Sequence, residues 1–461
     1  MRRVPSLLAS CLLLGATAAS AQTTPSSATP AASSEAAPAP ATSSSTTSSP
    51  ALSLASLPDE DGLIALLWER SPEFASARAR VASARSDLVR AGLLPNPTLD
   101  VSANTLPLGP TNPPGLDRLT QVPNFGVGLS ELIELGKRGP RQDSARAALA
   151  STALDVLAGL RARTYDLLER AAEVATAEVR LSELETLASD AARLTELQRA
   201  RAQRGDTAGL DVDRASLEEA QLQGQLAEER TRLAEALLAC SQTVGLTCSP
   251  FGSREAAASF LATRLSRPLP AAELQQRPDL LSLQAQQRSA ESALTLARRR
   301  KIPDPTVRIG YLRDQFVISG NQRDSLGVSL SIPLPFFDHG QADALAASAA
   351  AEASARARSQ LLVQAERDAA SIAAQREAVT ARRERVRNQT LPMASSLVQR
   401  LEAAMKAGGA SLQDLIFARR TYGQLLLDAS DLDLAAFRLS VELERVRGAS
   451  LKAPAGLSEH F

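Results

Sequence analysis

The stretch that decides the reading is Asn124-Phe-Gly-Val-Gly-Leu-Ser-Glu-Leu-Ile-Glu-Leu-Gly-Lys-Arg-Gly139. Phe125, Val127, Leu129, Ile133 and Leu135 fall on one side of an extended chain, with Gly126, Gly128, Ser130 and Glu134 mostly on the other. That alternation predicts a strand with one apolar face and one small or polar face. At Gly136-Lys137-Arg138-Gly139-Pro140 the pattern changes at once. From Arg141 to about Arg204 there is no proline and no glycine apart from Gly159, and leucines such as Leu154, Leu157 and Leu160 recur at helical spacing. Sixty-odd helical residues at 1.5 Å each span ~95 Å, far more than one small sheet needs as cover.

Upstream, Asp59-Glu60-Asp61 before Leu63, Leu66, Leu67 and Trp68 reads as a capped short helix. Ser71-Pro72-Glu73 opens a second helix, which Leu94-Pro95-Asn96-Pro97 stops. Thr98 to Leu106 alternates again, Leu99, Val101 and Ala103 against Asp100, Ser102 and Asn104, and a Pro/Gly-rich loop leads to the opening stretch. The pair reads as a hairpin. Downstream, Gly205 to Gly209 breaks the long helix, and Leu210 to about Cys240 returns as a second one, a helical hairpin with coiled-coil patterning. Ser249 to Arg277 is a loop-rich connector with a short helical piece.

The programme then repeats. Arg277-Pro278-Asp279 opens a helix, and Ile302-Pro303-Asp304-Pro305-Thr306 echoes Leu94-Pro95-Asn96-Pro97-Thr98. Leu326-Gly327-Val328-Ser329-Leu330-Ser331 matches Phe125-Gly126-Val127-Gly128-Leu129-Ser130, and Gly340 falls where Gly139 did. A further helix is expected from Gln341 to about Lys406, a break at Gly408-Gly409, and a return from Ser411 to Arg447. The expected domains are a first repeat over 57–248, a connector over 249–277, a second repeat over 278–450 and a tail over 451–461.

The N-terminus reads as a secretory signal over 1–21. Arg2 and Arg3 precede the apolar run Leu7 to Leu14, and Ala19-Ser20-Ala21 is an A-x-A cleavage site. Lipoprotein processing at Leu8-Ala9-Ser10-Cys11 is the alternative. Residues 22–56, rich in Ser, Thr, Pro and Ala, are expected to form a disordered tether. Cys240 and Cys248 are either a disulfide in an oxidising compartment or two free thiols near a helix end. Lys plus Arg equals Asp plus Glu at 51 each, so no strong field points to nucleic acid. Two His and three Met suggest no metal site, and no nucleophile or paired-carboxylate motif supports an enzyme, so no cofactor is expected.

The strands are about as long as a tilted strand needs to cross a bilayer. The same alternation occurs in half-buried sheets of soluble domains. Secretion, strands that come as only two isolated hairpins, and helices too long for one small sheet favour the membrane. Four strands leave open edges, which lipid does not tolerate, so the chain must assemble. Two copies give eight strands and a filled interior; three give twelve and a lumen, which the small and polar face would line. Phe125, Tyr311, Phe336 and Phe337 are candidates for the membrane interfaces.

On the tandem halves, the Pro-x-Pro strand entries, the Gly-Val-x-Leu-Ser strand and the glycine-broken long helices, the chain from about 57 to 450 resembles the TolC-like outer membrane factors. Leu132 to Arg138, ending Leu-Gly-Lys-Arg, is similar to the CzcC-like branch that serves metal-cation efflux. The resemblance implies a mainly α fold with a small transmembrane β part, a homotrimer whose twelve-stranded outer-membrane barrel continues as an α-helical periplasmic barrel. It implies a non-enzymatic duct docked to a periplasmic adaptor (membrane fusion protein) and an inner-membrane resistance-nodulation-division pump. A drug-efflux or secretion duct, or a periplasmic coiled-coil adaptor, are the rival readings. Gly205, Ala208, Gly209, Leu210, Gly408 and Gly409 then sit at the adaptor-facing tip, though glycines there also serve as plain helix caps. Asp414 matches one acidic position of a gate, or is an ordinary first-turn acid; Phe417 stands where a second acid is often found. Gly136, Lys137, Arg138, Gly139 and Gly340 form the strand-to-helix junctions. Gly136-Lys137-Arg138-Gly139 lacks the spacing of a phosphate loop.

Overall fold

A computed structural model describes residues 51–268, 273–316, 322–448 and 452–460. The expected signal, the Cys11 alternative and the tether up to Pro50 lie outside the described residues. The tether was expected to run to Ser56. Instead Ala51–Ser53 forms a strand, β1, paired in parallel with β4, Thr247–Ser249. The reason is local: Leu52 and Leu54 bring apolar surface into an otherwise small and polar tract, and both are buried.

Helices α1 (Glu60–Arg70) and α2 (Glu73–Gly92) lead into β2 (Thr98–Asn104) and β3 (Asn124–Leu132). Asp59 caps α1 by accepting the Gly62 amide at 2.9 Å. β3 stops at Leu132, short of the expected Leu135, and Ile133 to Lys137 turn the chain into α3 (Arg138–Gln203). Its 66 residues span ~99 Å. α4 (Gly209–Val244) runs back beside it, and α5 (Arg254–Ser266) fills the connector. Cys240 and Cys248 are joined as a disulfide across the turn between α4 and β4, their Cα atoms 6.1 Å apart.

The second half contains α6 (Pro278–Arg299), β5 (Thr306–Asp314), β6 (Asp324–Ser331), α7 (Gln341–Arg385), α8 (Leu391–Lys406) and α9 (Leu412–Arg447). The expected single helix from Gln341 to Lys406 is interrupted by a π-helical turn over Val386–Thr390. Pro392 lacks an N–H and its ring crowds the preceding turn, so the ladder is rearranged there.

The two hairpins are not isolated. β3 pairs antiparallel with β5, giving one four-stranded sheet in the order β2-β3-β5-β6. One large core lies around α1, α2, the middle of α3 and the end of α9, where Leu63, Ile64, Leu67, Tyr165 and Phe437 are fully buried. α7 contrasts with it: along 45 residues only Ala365 is buried.

Candidate functional site: sheet, junctions and helical tips

The register sorts the sheet into two chemical faces. Leu99, Val101, Val127, Leu129, Ile309, Leu326, Val328 and Leu330 share one face and are all exposed, Val101 at 74% and Leu326 at 75%. A contiguous apolar surface of this size is rare on a protein meant for water. On the other face Ser102 lies opposite Gly126, Asp100 opposite Gly128, Thr98 and Arg308 opposite Ser130, and Gly327 opposite Gly310. Here the Ser130 hydroxyl donates to Asp100 Oδ2 at 2.9 Å and meets the Thr98 hydroxyl at 2.7 Å, while Arg308 Nε lies 3.7 Å from Asp100. The two central strands approach closely at their glycines: a Cβ on Gly128 would sit 2.9 Å from Arg308 Nε, and one on Gly310 3.3 Å from Gly128 Cα. Among the described residues, both edge strands, β2 and β6, have no partner on their outer sides.

All four strand–helix connections lie at one end of this sheet. The residues assigned to them separate into different roles. Gly136 (φ +69°) and Gly340 (φ +82°) adopt the left-handed conformation. A Cβ on Gly340 would fall 2.3 Å from the Ala297 carbonyl oxygen. Gly139 is ordinary helix with nothing near it. Gly340 therefore corresponds in conformation to Gly136, not to Gly139: the second exit, Ile332 to Gly340, is longer than the first, Ile133 to Lys137, so equal numbering misplaces the turn. The basic pair divides too. Lys137 Nζ binds Asp304 Oδ2 at 2.7 Å, and Asp304 Oδ1 accepts the Leu135 amide at 2.9 Å, so the exit of one repeat is stitched to the entry of the other. Burial opposes the charge on Asp304, but the Leu135 amide and the Lys137 ammonium outweigh it and hold its carboxyl below the usual range. Arg138 stays exposed. Arg141 clamps Glu134 at 2.5 and 2.9 Å and the Ala91 carbonyl at 2.9 Å.

At the far ends of the helices, Gly205 (φ +79°) and Gly408 (φ +77°) are left-handed caps. Gly205 donates to the Ala202 carbonyl at 3.0 Å, and Gly409 to the Ala404 carbonyl at 2.9 Å. Ala208 and Gly209 begin α4, with Leu210 exposed. Ser411 caps α9, accepting the Asp414 amide at 3.1 Å and donating to Asp414 Oδ2 at 2.6 Å. Asp414 and, one turn on, Phe417 are both exposed. The second tip packs on the first hairpin through Leu194, Met405, Leu412 and Leu415.

Three polar ties were not foreseen. Arg420 pairs with Glu218, and Arg419 binds Glu402 at 2.6 Å and the Asp190 carbonyl at 3.2 Å, beside a cleft of about 740 Å³ between the hairpins. Arg383 and Arg387 converge on buried Asp433. Nearer the core, Arg264 bridges Glu60 and Glu444. Burial pushes the Glu444 carboxyl up against the pull of Arg264 and Arg267. These partners are far apart in sequence, and each alone looks like a surface charge, so spacing carries no signal for them. Among the described residues no cluster of His, Cys, Asp or Glu is arranged to hold a metal ion.

Residues 63–246 match the family model described as outer membrane efflux protein. Over 317 residues, 68% of this chain and 75% of the relative, the sequence is 22% identical to the cobalt-zinc-cadmium resistance protein CzcC of Cupriavidus metallidurans. Among solved structures, that of CusC aligns with a TM-score of 0.69 at 16% identity, covering 85% of this chain and 92% of that one. The outer membrane protein VceC of Vibrio cholerae aligns with a TM-score of 0.65 at 19% identity, covering 85% and 97%. These likenesses establish the fold.

Proposed function

We infer that this chain, a TolC-like outer membrane efflux protein, is the passive outer-membrane duct of a tripartite efflux system. The observation that carries this reading is the four-stranded sheet with an exposed apolar face, a polar face and two open edges, feeding at one end into helices of up to 66 residues. Edges left open in lipid cost several kcal/mol per unsatisfied backbone group. Joining β2 of one copy to β6 of the next removes them. Three copies give twelve strands, with Asp100, Ser130 and Arg308 turned to a wet lumen and the leucines and valines to lipid. α7, almost unburied along its length, supplies the helical surface that neighbouring copies cover below the barrel. No step requires chemistry on the cargo; energy comes from a resistance-nodulation-division pump, reached through a periplasmic adaptor.

On this reading the turns at Gly205 to Leu210 and at Gly408 to Asp414 meet the adaptor. Asp414 is the acidic candidate for the gate, with Phe417 replacing a second acid. The cargo is proposed to be divalent metal cations, supported by the likeness to a cobalt-zinc-cadmium resistance protein and by Leu-Gly-Lys-Arg at 135–138. Membrane fractionation and mass measurement in detergent test the duct: an outer-membrane trimer is expected, and a water-soluble monomer rules it out. Deleting the gene and challenging cells with Co, Zn, Cd and unrelated drugs tests the cargo. Unchanged metal tolerance with heightened drug sensitivity removes the metal reading and leaves the duct.

A further inference from the structure

The junction end of the sheet carries an excess of cations that the duct reading does not use. α6 ends at Arg298-Arg299, and Arg300-Lys301 follow it immediately before the strand entry Ile302-Pro303-Asp304-Pro305. The equivalent place in the first repeat, Arg90-Ala91-Gly92-Leu93, holds one arginine, already 2.8 Å from Asp87. One basic residue in the last turn answers a helix dipole; four in a row exceed that need.

Sorting these cations by partner isolates a free set. Lys137 is taken by Asp304, Arg141 by Glu134, and Arg300 by Asp343. Arg138, Arg298, Arg299 and Lys301 are exposed, and among the described residues none has a carboxylate within ion-pair distance. The fold brings them to one rim. Arg299 lies so close to Gly136 that a Cβ there would meet its guanidinium at 2.5 Å, and Gly136 is two residues from Arg138. Of the acids at this rim, Glu134, Asp304 and Asp343 are engaged as above, and the Asp338 carboxylate accepts the Gly340 amide. Glu131 and Asp338 are exposed, and among the described residues neither pairs with a cation.

The same rim is apolar next to the cations. Leu94, Ile302, Phe336 and Phe337 are exposed, Phe337 at 93%. They stand in the connections between the helices and the strands whose apolar face is exposed. Apolar anchors with free cations at the edge of a bilayer-sized apolar wall match a layer of acyl chains topped by negative charge. Resting on the reading of the sheet as membrane wall, we propose that this rim binds anionic phospholipid headgroups of the leaflet on the helical side. The phosphodiester is held by Arg138, Arg298, Arg299 and Lys301, and the chains lie against Phe336 and Phe337. Guanidinium groups suit this ligand because they present paired donors to phosphate oxygens.

The test is native mass spectrometry of the delipidated full-length oligomer in neutral detergent, titrated with phosphatidylglycerol or phosphatidylethanolamine. The protein is expected to retain phosphatidylglycerol roughly fivefold more strongly or better, since each cation near an anionic headgroup adds a fewfold preference. R138Q/R298Q/R299Q/K301Q is expected to bring the ratio near one while leaving phosphatidylethanolamine uptake unchanged. R138K/R298K/R299K, which keeps charge, is expected to retain the preference and so controls for misfolding. A wild-type ratio near one, or a preference that survives the glutamine variant, overturns the proposal. Full displacement of phosphatidylglycerol by millimolar inorganic phosphate also overturns it, because the site then takes the free ion. Failure to take up any phospholipid contradicts the membrane-wall reading instead.

Discussion

At the residue scale, the junction glycines are distinguished by backbone angle and by neighbours. Gly340→Ala forces a side chain into the left-handed region and toward the Ala297 carbonyl oxygen, where α6 and α7 meet. The expected loss is about 2 kcal/mol or more, read as a lowered thermal midpoint of the oligomer. Gly139→Ala sits in α3 with nothing near it, and is expected to be neutral or slightly stabilising. Asp304→Asn leaves Lys137 half-enclosed without its anion and is expected to cost about 1–3 kcal/mol. Because the Asp304 carboxyl is held below its ordinary value of 3.8, its contribution is complete above that value and is lost as pH falls through the lower folded value. The wild-type advantage over Asp304→Asn is therefore expected to be flat near neutrality and to shrink in strong acid; an advantage that grows on acidification counts against this assignment. Residue identity alone could not separate Gly136 from Gly139, since both are glycines beside a basic pair. The echo between Asn96 and Asp304 was visible, but not that Asp304 reaches back to Lys137, 167 positions away.

At the element scale, period-2 alternation placed all four main strands, because a one-residue error would exchange the faces entirely. It did not place the β3–β5 pairing, which depends on how the two halves pack. The faces predict opposite tolerance. Val328→Arg puts a charge on the lipid side and is expected to cost about 2–4 kcal/mol if it lies near the bilayer midplane, with loss of heat-resistant oligomer on gels. Ser329→Asp, one residue on and on the polar face, is expected to assemble normally and to alter ion selectivity in planar bilayers. Equal damage from both variants contradicts the two-faced wall. The helices were legible from their leucine spacing and glycine breaks. The π turn before Pro392 was not, although a proline inside a helical pattern is the signal for it.

At the scale of the whole molecule, Arg419 and Arg420 of the second helical hairpin hold it to the first near their tips, through the Asp190 carbonyl and Glu218, while Glu402 on the neighbouring helix of the second hairpin steadies Arg419. Arg419→Ala with Arg420→Ala removes these ties without touching the sheet. Assembly into outer membranes is expected to persist while single-channel conductance rises severalfold, since the second hairpin is freed to move. Unchanged conductance means that the ties do not restrain the duct. The disulfide lies at the opposite end of α4, where Cys248 belongs to the strand that receives β1.

The sequence by itself carried the tandem repeat, the two chemical faces of the strands and the expectation of secretion and assembly. These follow from local periodicity, composition and the rule that lipid leaves no backbone group unpaired. Only the tertiary structure decided which charges are paired and which are free. Lys137 and Arg138 are neighbours in sequence, yet one is tied to Asp304 and the other faces outward. The same holds for Arg300 beside Arg299 and Lys301. An ion pair depends on where two distant segments pack, and hydrophobic patterning positions those segments without reference to the charges they carry.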